Sequence, residues 1–173
     1  HEGTKIHAKV VCIAGGLGCF EPRKPDLSNL AIFENNGVDY IVKDPEKYRG
    51  KKIVISGGGD SALDWVIFLA DICDEIALVH RGEMFRGAPD SAEKVKNLHD
   101  QGKITLHLNS NVTTLTGGEQ LTSVTISNKA GELTEVEVDY FLPLFGLSPK
   151  LGPIANWGLN IDKNAINVDT TDY

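Results

Sequence analysis

The stretch KKIVISGGGDSALD, residues 51–64, constrains the chain more than any other. A short β-branched run ends in three consecutive glycines, and Leu63, Val66, Ile67 and Ala70 then recur at helical spacing. An apolar run of that length bounded by glycine reads as a buried strand. The three-to-four-residue repeat reads as a helix with one inward face, which Asp60 or Ser61 can cap. The glycines stand as Gly57-x-Gly59-x-x-Ala62, the G-x-G-x-x-A form of the dinucleotide fingerprint. Gly57 lets the chain turn off the strand, Gly59 lets the backbone approach a pyrophosphate, and Ala62 lets helix and strand pack closely. Free N–H groups and the positive end of the helix dipole then face the phosphates.

The neighbouring segments extend this unit into a sheet. EIALVH (75–80) is a second apolar strand, residues 91–101 read as a helix with Val95 and Leu98 inward and Gly102 at its end, and ITLHL (104–108) is a third strand. Strand, helix, strand, helix, strand predicts a parallel sheet with crossover helices. The rhythm then changes. Residues 112–116, 121–127 and 132–138 read as three short strands joined by TGGEQ and NKAG turns, an antiparallel meander. YFLPLFG (140–146) returns as a hydrophobic strand. Upstream, AKVVCIA (8–14) reads as a strand running into the glycine turn 15–18. Residues 20–50 read as connection, with an edge strand near Val38–Val42. The predicted fold is α/β: a Rossmann-like three-layer nucleotide-binding domain with a parallel sheet and an antiparallel β-meander.

The tip of the second strand selects the nucleotide. An NAD site places a carboxylate there, on the ribose 2′-OH. Here the strand ends Val79-His80-Arg81, with Arg86 soon after. A guanidinium pairs with a 2′-phosphate where a carboxylate would repel it, so the pattern reads as NADP(H). The competing readings are that Arg81 and Arg86 are ordinary solvated charges, or that Glu83 serves an NAD ribose.

Charge and composition exclude other classes. The net charge of −7, from 17 basic and 24 acidic residues, argues against general nucleic-acid or membrane-surface binding. Trp65–Ala70 is the longest apolar run and is far too short to span a bilayer. Cys12, Cys19 and Cys73 contain no C-x-x-C pair, which suits a reducing, cytoplasmic compartment. Cys12 and Cys19 are expected to be buried structural thiols. His7, His99 and His107 lack metal-ligand spacing and are expected to be satisfied or exposed. The chain opens on His1, which suggests a piece of a longer protein.

The ordered set GGGDSALD, LVHRGEMFR and FGLSP, with IAGGLGCFEPRKP upstream, resembles the NADPH domain of the thioredoxin-reductase-like flavoproteins. The fit is closest to their ferredoxin/flavodoxin–NADP reductase branch. Thioredoxin reductases carry a Cys-x-x-Cys in this domain and this chain has none, which favours the reductase branch. Gly82 stands where the family commonly has a second arginine, so the 2′-phosphate contact rests on Arg81 and Arg86. The family's own flavin-binding G-x-G-x-x-G and its closing Gly-Asp segment do not occur in this chain.

The resemblance implies that residues 1–23 are a remnant of the flavin domain, 24–146 the NADP(H)-binding domain, and 147–173 a return segment toward the flavin domain. It implies that Gly57, Gly58, Gly59, Asp60, Ser61 and Ala62 form the pyrophosphate turn. His80, Arg81 and Arg86 would meet the 2′-phosphate end, Gly146 the cofactor's other half, and Asp64 the vicinity of the nicotinamide. No side chain here would be a catalytic acid or base, because hydride transfer to flavin rests on positioning. The complete protein would be a homodimer with FAD, passing electrons to ferredoxin or flavodoxin, and this segment alone would lack the flavin site. Two alternatives stand beside it: a stand-alone NADP-binding regulatory module, or a related flavoprotein reductase with a different electron acceptor.

Overall fold

A computed structural model describes residues 3, 5–12, 20–162, 165–169 and 171. The chain divides into two compact units, residues 22–146 and residues 1–21 with 147–173. Its first elements are β1 (Phe20–Pro22), α1 (Leu30–Phe33), β2 (Lys52–Ser56), α2 (Asp60–Leu69), β3 (Glu75–Val79) and α3 (Pro89–Asp100). Then come β4 (Thr105–His107), β5 (Ser110–Gly117), β6 (Leu121–Asn128), β7 (Leu133–Glu137) and β8 (Tyr140–Pro143). The last are β9 (Leu147–Pro149), β10 (Ile161–Asp162) and β11 (Ala165–Ile166).

In the 22–146 unit, β2, β3, β4 and β8 form a four-stranded parallel sheet in the order β4-β3-β2-β8. Strand β2 is central, so the chain leaves it for β3 on one side and comes back to β8 on the other. That reversal opens a crevice at the carboxyl ends of the strands, where α/β sheets bind ligands. Side chains alternate across each strand, and the two faces carry two cores. Ile53, Ile55, Leu78 and Leu142 pack under α2 and α3 with Leu63, Val66, Leu69 and Val95. Val54, Ala77, Val79 and Phe141 pack on the other face with Leu30, Phe33 and the β5-β6-β7 residues Leu115, Val124 and Ile126. Helices, sheet and antiparallel meander are the three predicted layers.

Several local expectations are corrected. Residues 8–12 form no strand, and Val10 and Val11 are exposed; residues 13–19, with the glycine turn and Cys19, lie outside the described residues. No edge strand runs through Val38–Val42. Val38 makes only isolated bridges to Glu34 and Phe141, because Asn35 at φ 67° and Gly37 at φ 124° turn the chain there. The connecting segment holds the short helix α1, whose Leu30 and Phe33 are buried. Helix α2 is capped by Gly59 with no side-chain cap bond, because the Asp60 carboxylate accepts instead from the Ala88 N–H at 2.7 Å. Helix α3 begins at Pro89, a residue suited to a first helical position, and Gly102 at φ 71° follows its end.

In the other unit, β1 pairs with β9, β10 pairs antiparallel with β11, and Glu21 and Lys150 form an ion pair of 2.6 Å. Among the described residues, no helix is long and apolar enough to cross a membrane.

Candidate nucleotide-binding site

The glycine loop joins β2 to α2 at the carboxyl edge of the sheet. None of Gly57, Gly58 and Gly59 has a positive φ, so their value lies in the missing Cβ and not in left-handed backbone. A Cβ on Gly57 would lie 2.7 Å from the Ala62 Cβ and 2.8 Å from the Leu144 carbonyl oxygen. Gly57 therefore lets β2, α2 and the end of β8 close together. A Cβ on Gly59 would meet nothing within 4 Å, so the space over Gly59 is open to a ligand. Among the described residues, the N–H groups of Gly58, Gly59, Asp60 and Ser61 donate to no protein acceptor. Together they make the donor set and dipole end that a pyrophosphate requires.

Gly58 has a different role. A Cβ there would collide with the His80 ring. His80 is buried at the end of β3, and its Nε2 lies 3.0 Å from the Met84 carbonyl oxygen. A carbonyl only accepts, so Nε2 carries the proton. The Gly58 carbonyl in turn accepts from Arg86 N–H at 2.6 Å and Gly87 N–H at 3.1 Å. The segment carrying both predicted arginines is thus built directly onto the glycine loop.

A cleft of about 380 Å³ opens beside this junction, lined by Ser56, Gly57, Gly58 and His80 and by Arg23, Arg81 and Arg86. These three are all but one of the chain's arginines, and none of them has an acidic partner among the described residues. The fourth, Arg49, is paired with Glu46 at 2.6 Å. Asp26 also lines the cleft, while Glu83 is exposed and does not. In a chain of net charge −7, guanidinium groups gathered at one cleft with no acidic partner among the described residues could hold an anion. Free N–H donors at the helix start, open space over Gly59 and cations beside them could hold a phosphate-bearing ligand.

Residues 1–171 match the Pyridine nucleotide-disulphide oxidoreductase family. The chain belongs to that family. Within it, the ferredoxin–NADP reductase 1 of Christiangramia forsetii is 58% identical over 176 residues, covering 99% of this chain and 50% of that protein. The ferredoxin–NADP reductase of Flavobacterium johnsoniae is 53% identical over 174 residues, covering 100% of this chain and 49% of that protein. The chain spans about half the length of the curated relatives it matches. Among solved structures, Lactococcus lactis thioredoxin reductase in its FR conformation superposes with a TM-score of 0.76 at 23% identity, over 87% of this chain and 50% of that one. Thioredoxin reductase of T. acidophilum gives 0.79 at 20%, over 87% and 50%. At those identities the two structures bear on the fold alone, and it is the oxidoreductase family's α/β fold.

The remaining predicted residues of this family member are dispersed. Asp64 lies outside the cleft, where its carboxylate accepts from Ser91 Oγ of α3 at 3.1 Å. Gly146 has φ 85° and accepts from the Arg23 N–H at 3.0 Å. Cys12 is exposed, not buried. Cys73 is partly buried, and burial, then Asp74, push its thiol up to about 11, so it stays protonated near neutrality. His7 is exposed, and His99 Nδ1 donates to the Ile104 carbonyl at 3.2 Å. His107 departs from expectation, because its Nε2 is buried without a partner. Arg23 is the cleft cation that the sequence reading missed. Its one sequence signal is the isolated basic pair Arg23-Lys24 set between Pro22 and Pro25.

Proposed function

We propose that this chain is the NADP(H)-binding part of a flavin-dependent ferredoxin/flavodoxin–NADP reductase. Residues 22–146, the unit that holds the cleft with Arg23, serve as the nucleotide domain, and 1–21 with 147–173 belong to the flavin domain of the complete protein. The observation that carries the reading is the cluster of Arg23, Arg81 and Arg86 beside the N–H groups of residues 58–61, with no acidic partner and no N–H acceptor among the described residues. The reductase names of the relatives support the same reaction class.

When bound, NADPH supplies a hydride, for which FAD is the acceptor in the complete protein, with ferredoxin or flavodoxin downstream. The residues of this chain bind and orient. The N–H groups of Gly58, Gly59, Asp60 and Ser61 hold the pyrophosphate, and the absent side chain of Gly59 lets it approach. Arg81 and Arg86 hold the 2′-phosphate, and Arg23 adds a third positive charge to the same cleft. None of these groups gives or takes a proton, so the protein contributes placement and charge.

Calorimetric titration of the intact gene product with NADPH and NADH tests this. NADPH is expected to bind at least about tenfold more tightly, the worth of one charge-assisted phosphate contact. Arg81→Gln and Arg86→Gln should each reduce that ratio, and Arg23→Gln should weaken NADPH binding about as much. Equal affinity for the two nucleotides would overturn the NADP(H) assignment.

A further inference from the structure

We propose that His80 is a positioning residue for NADP(H) selectivity, acting through Gly58 rather than by touching the 2′-phosphate. The inference rests on the nucleotide reading above and deepens it. Both arginines of the 2′-phosphate end are exposed and have no acidic partner among the described residues. No charge among the described residues therefore holds their guanidinium groups, and where they sit depends on the backbone of residues 81–86.

That backbone is fixed at both ends to one glycine. At the first end the His80 ring occupies the place where a Gly58 Cβ would be. From there Nε2–H reaches the Met84 carbonyl at 3.0 Å, closing the turn that follows Arg81. The Phe85 ring lies 5.2 Å from the imidazole, and a Cβ on Gly82 would lie 3.1 Å from Nε2, so the turn is closely packed around the ring. At the second end the Gly58 carbonyl accepts from Arg86 and Gly87, and Asp60 takes the next N–H, that of Ala88. Gly58 occupies an unspecified position of the G-x-G-x-x-A pattern, yet here it is the shared anchor of the phosphate loop and the arginine loop.

Holding two long side chains' backbone in advance lowers the ordering cost of the phosphate contact they make. NADH has no 2′-phosphate and does not use that contact. Losing the anchor should therefore weaken NADPH binding more than NADH binding. A residue that only stabilised the fold would weaken both alike and leave the ratio unchanged.

The test is a double-mutant cycle in the intact gene product with Gly58→Ala, His80→Ala and the double variant, read in two ways. Hydrogen exchange at the Arg86 and Gly87 amides reports the anchor without any ligand, and the NADPH-to-NADH affinity ratio reports selectivity. His80→Phe, which keeps a ring but removes the Nε2–H donor, stands in if the alanine variant fails to fold. Each single variant should speed exchange at residues 86 and 87 and lower the ratio about tenfold. The double variant should lower it no further, because the new methyl enters the space the ring vacated.

Unchanged exchange in the single variants would overturn the anchor. Faster exchange with an unchanged ratio would overturn its link to selectivity. Losses that multiply in the double variant would show two independent residues and overturn the coupling. Equal wild-type affinity for the two nucleotides would instead strike the nucleotide reading itself, and the selectivity role would fall with it.

Discussion

Among the described residues, His107 Nε2 is the one buried side-chain nitrogen or oxygen with no hydrogen-bond partner. An orphaned polar atom of this kind costs about 1–3 kcal/mol. Burial, and secondarily the charge of His99, hold the His107 pKa below the ordinary 6.5. The sign follows directly. As pH falls below 6.5 the unfolded chain takes up the proton first, so acid favours the unfolded state and stability declines. His107→Leu should raise stability by about 1 kcal/mol at neutral pH and flatten its decline on the acid side of 6.5. Thermal melts between pH 5 and 8, buffered at about constant ionic strength, check both effects; a steeper acid decline in the variant would contradict the assignment. The sequence could not disclose this environment, since His107 alternates with apolar neighbours in ITLHL like any strand residue. Arg81 and Arg86 were legible because the strand tip and its sequel are local to the fingerprint. Arg23 was not, because it reaches the same cleft from a connector read as irregular.

At the scale of elements, β2, its glycine loop and α2 were readable because every constraint on them is local: a β-branched run, small residues, then a helical repeat. Even there the reasons for the glycines shifted. Gly57 is not in a left-handed conformation; it is needed because a Cβ there would lie 2.7 Å from the Ala62 Cβ and 2.8 Å from the Leu144 carbonyl oxygen. Gly57→Ala is therefore expected to destabilise by about 1–3 kcal/mol through overpacking. Gly59→Ala has free space and an ordinary φ of −97°. Its stability cost should stay within about 1 kcal/mol, that of a weaker N-cap, while NADPH affinity falls because the new methyl occupies the pyrophosphate's approach. Melts and titrations of the two variants side by side separate a glycine kept for packing from one kept for ligand access. If Gly59→Ala bound NADPH as the parent does, that division would fail. Helix α1 was illegible for the opposite reason. Four residues show no period, and Leu30 and Phe33 are held by burial against the sheet and meander, partners distant in sequence.

For the whole molecule, the change from a βαβ rhythm to a meander predicted a parallel sheet with crossover helices and an antiparallel meander; the structure puts the helices on one face of the sheet and the meander on the other. What the rhythm could not foretell is how completely the cores lie inside one unit. Every residue of both hydrophobic clusters falls between Leu27 and Leu144. The Arg23 N–H bonds the Gly146 carbonyl at 3.0 Å, so this unit brings its own two ends together. The cleft, the glycine loop and the three arginines also lie within it. A unit with a closed core, adjacent ends and every lining residue of the candidate cleft has what autonomous folding needs. Residues 22–146 produced alone should therefore melt in one cooperative transition and bind NADPH within about threefold of the intact gene product, a difference of under 1 kcal/mol. Calorimetric melting and NADPH titration of the two proteins measure this. A non-cooperative melt would show that residues 1–21 and 147–173 complete the fold. A cooperative melt with NADPH binding lost would show instead that they complete the site.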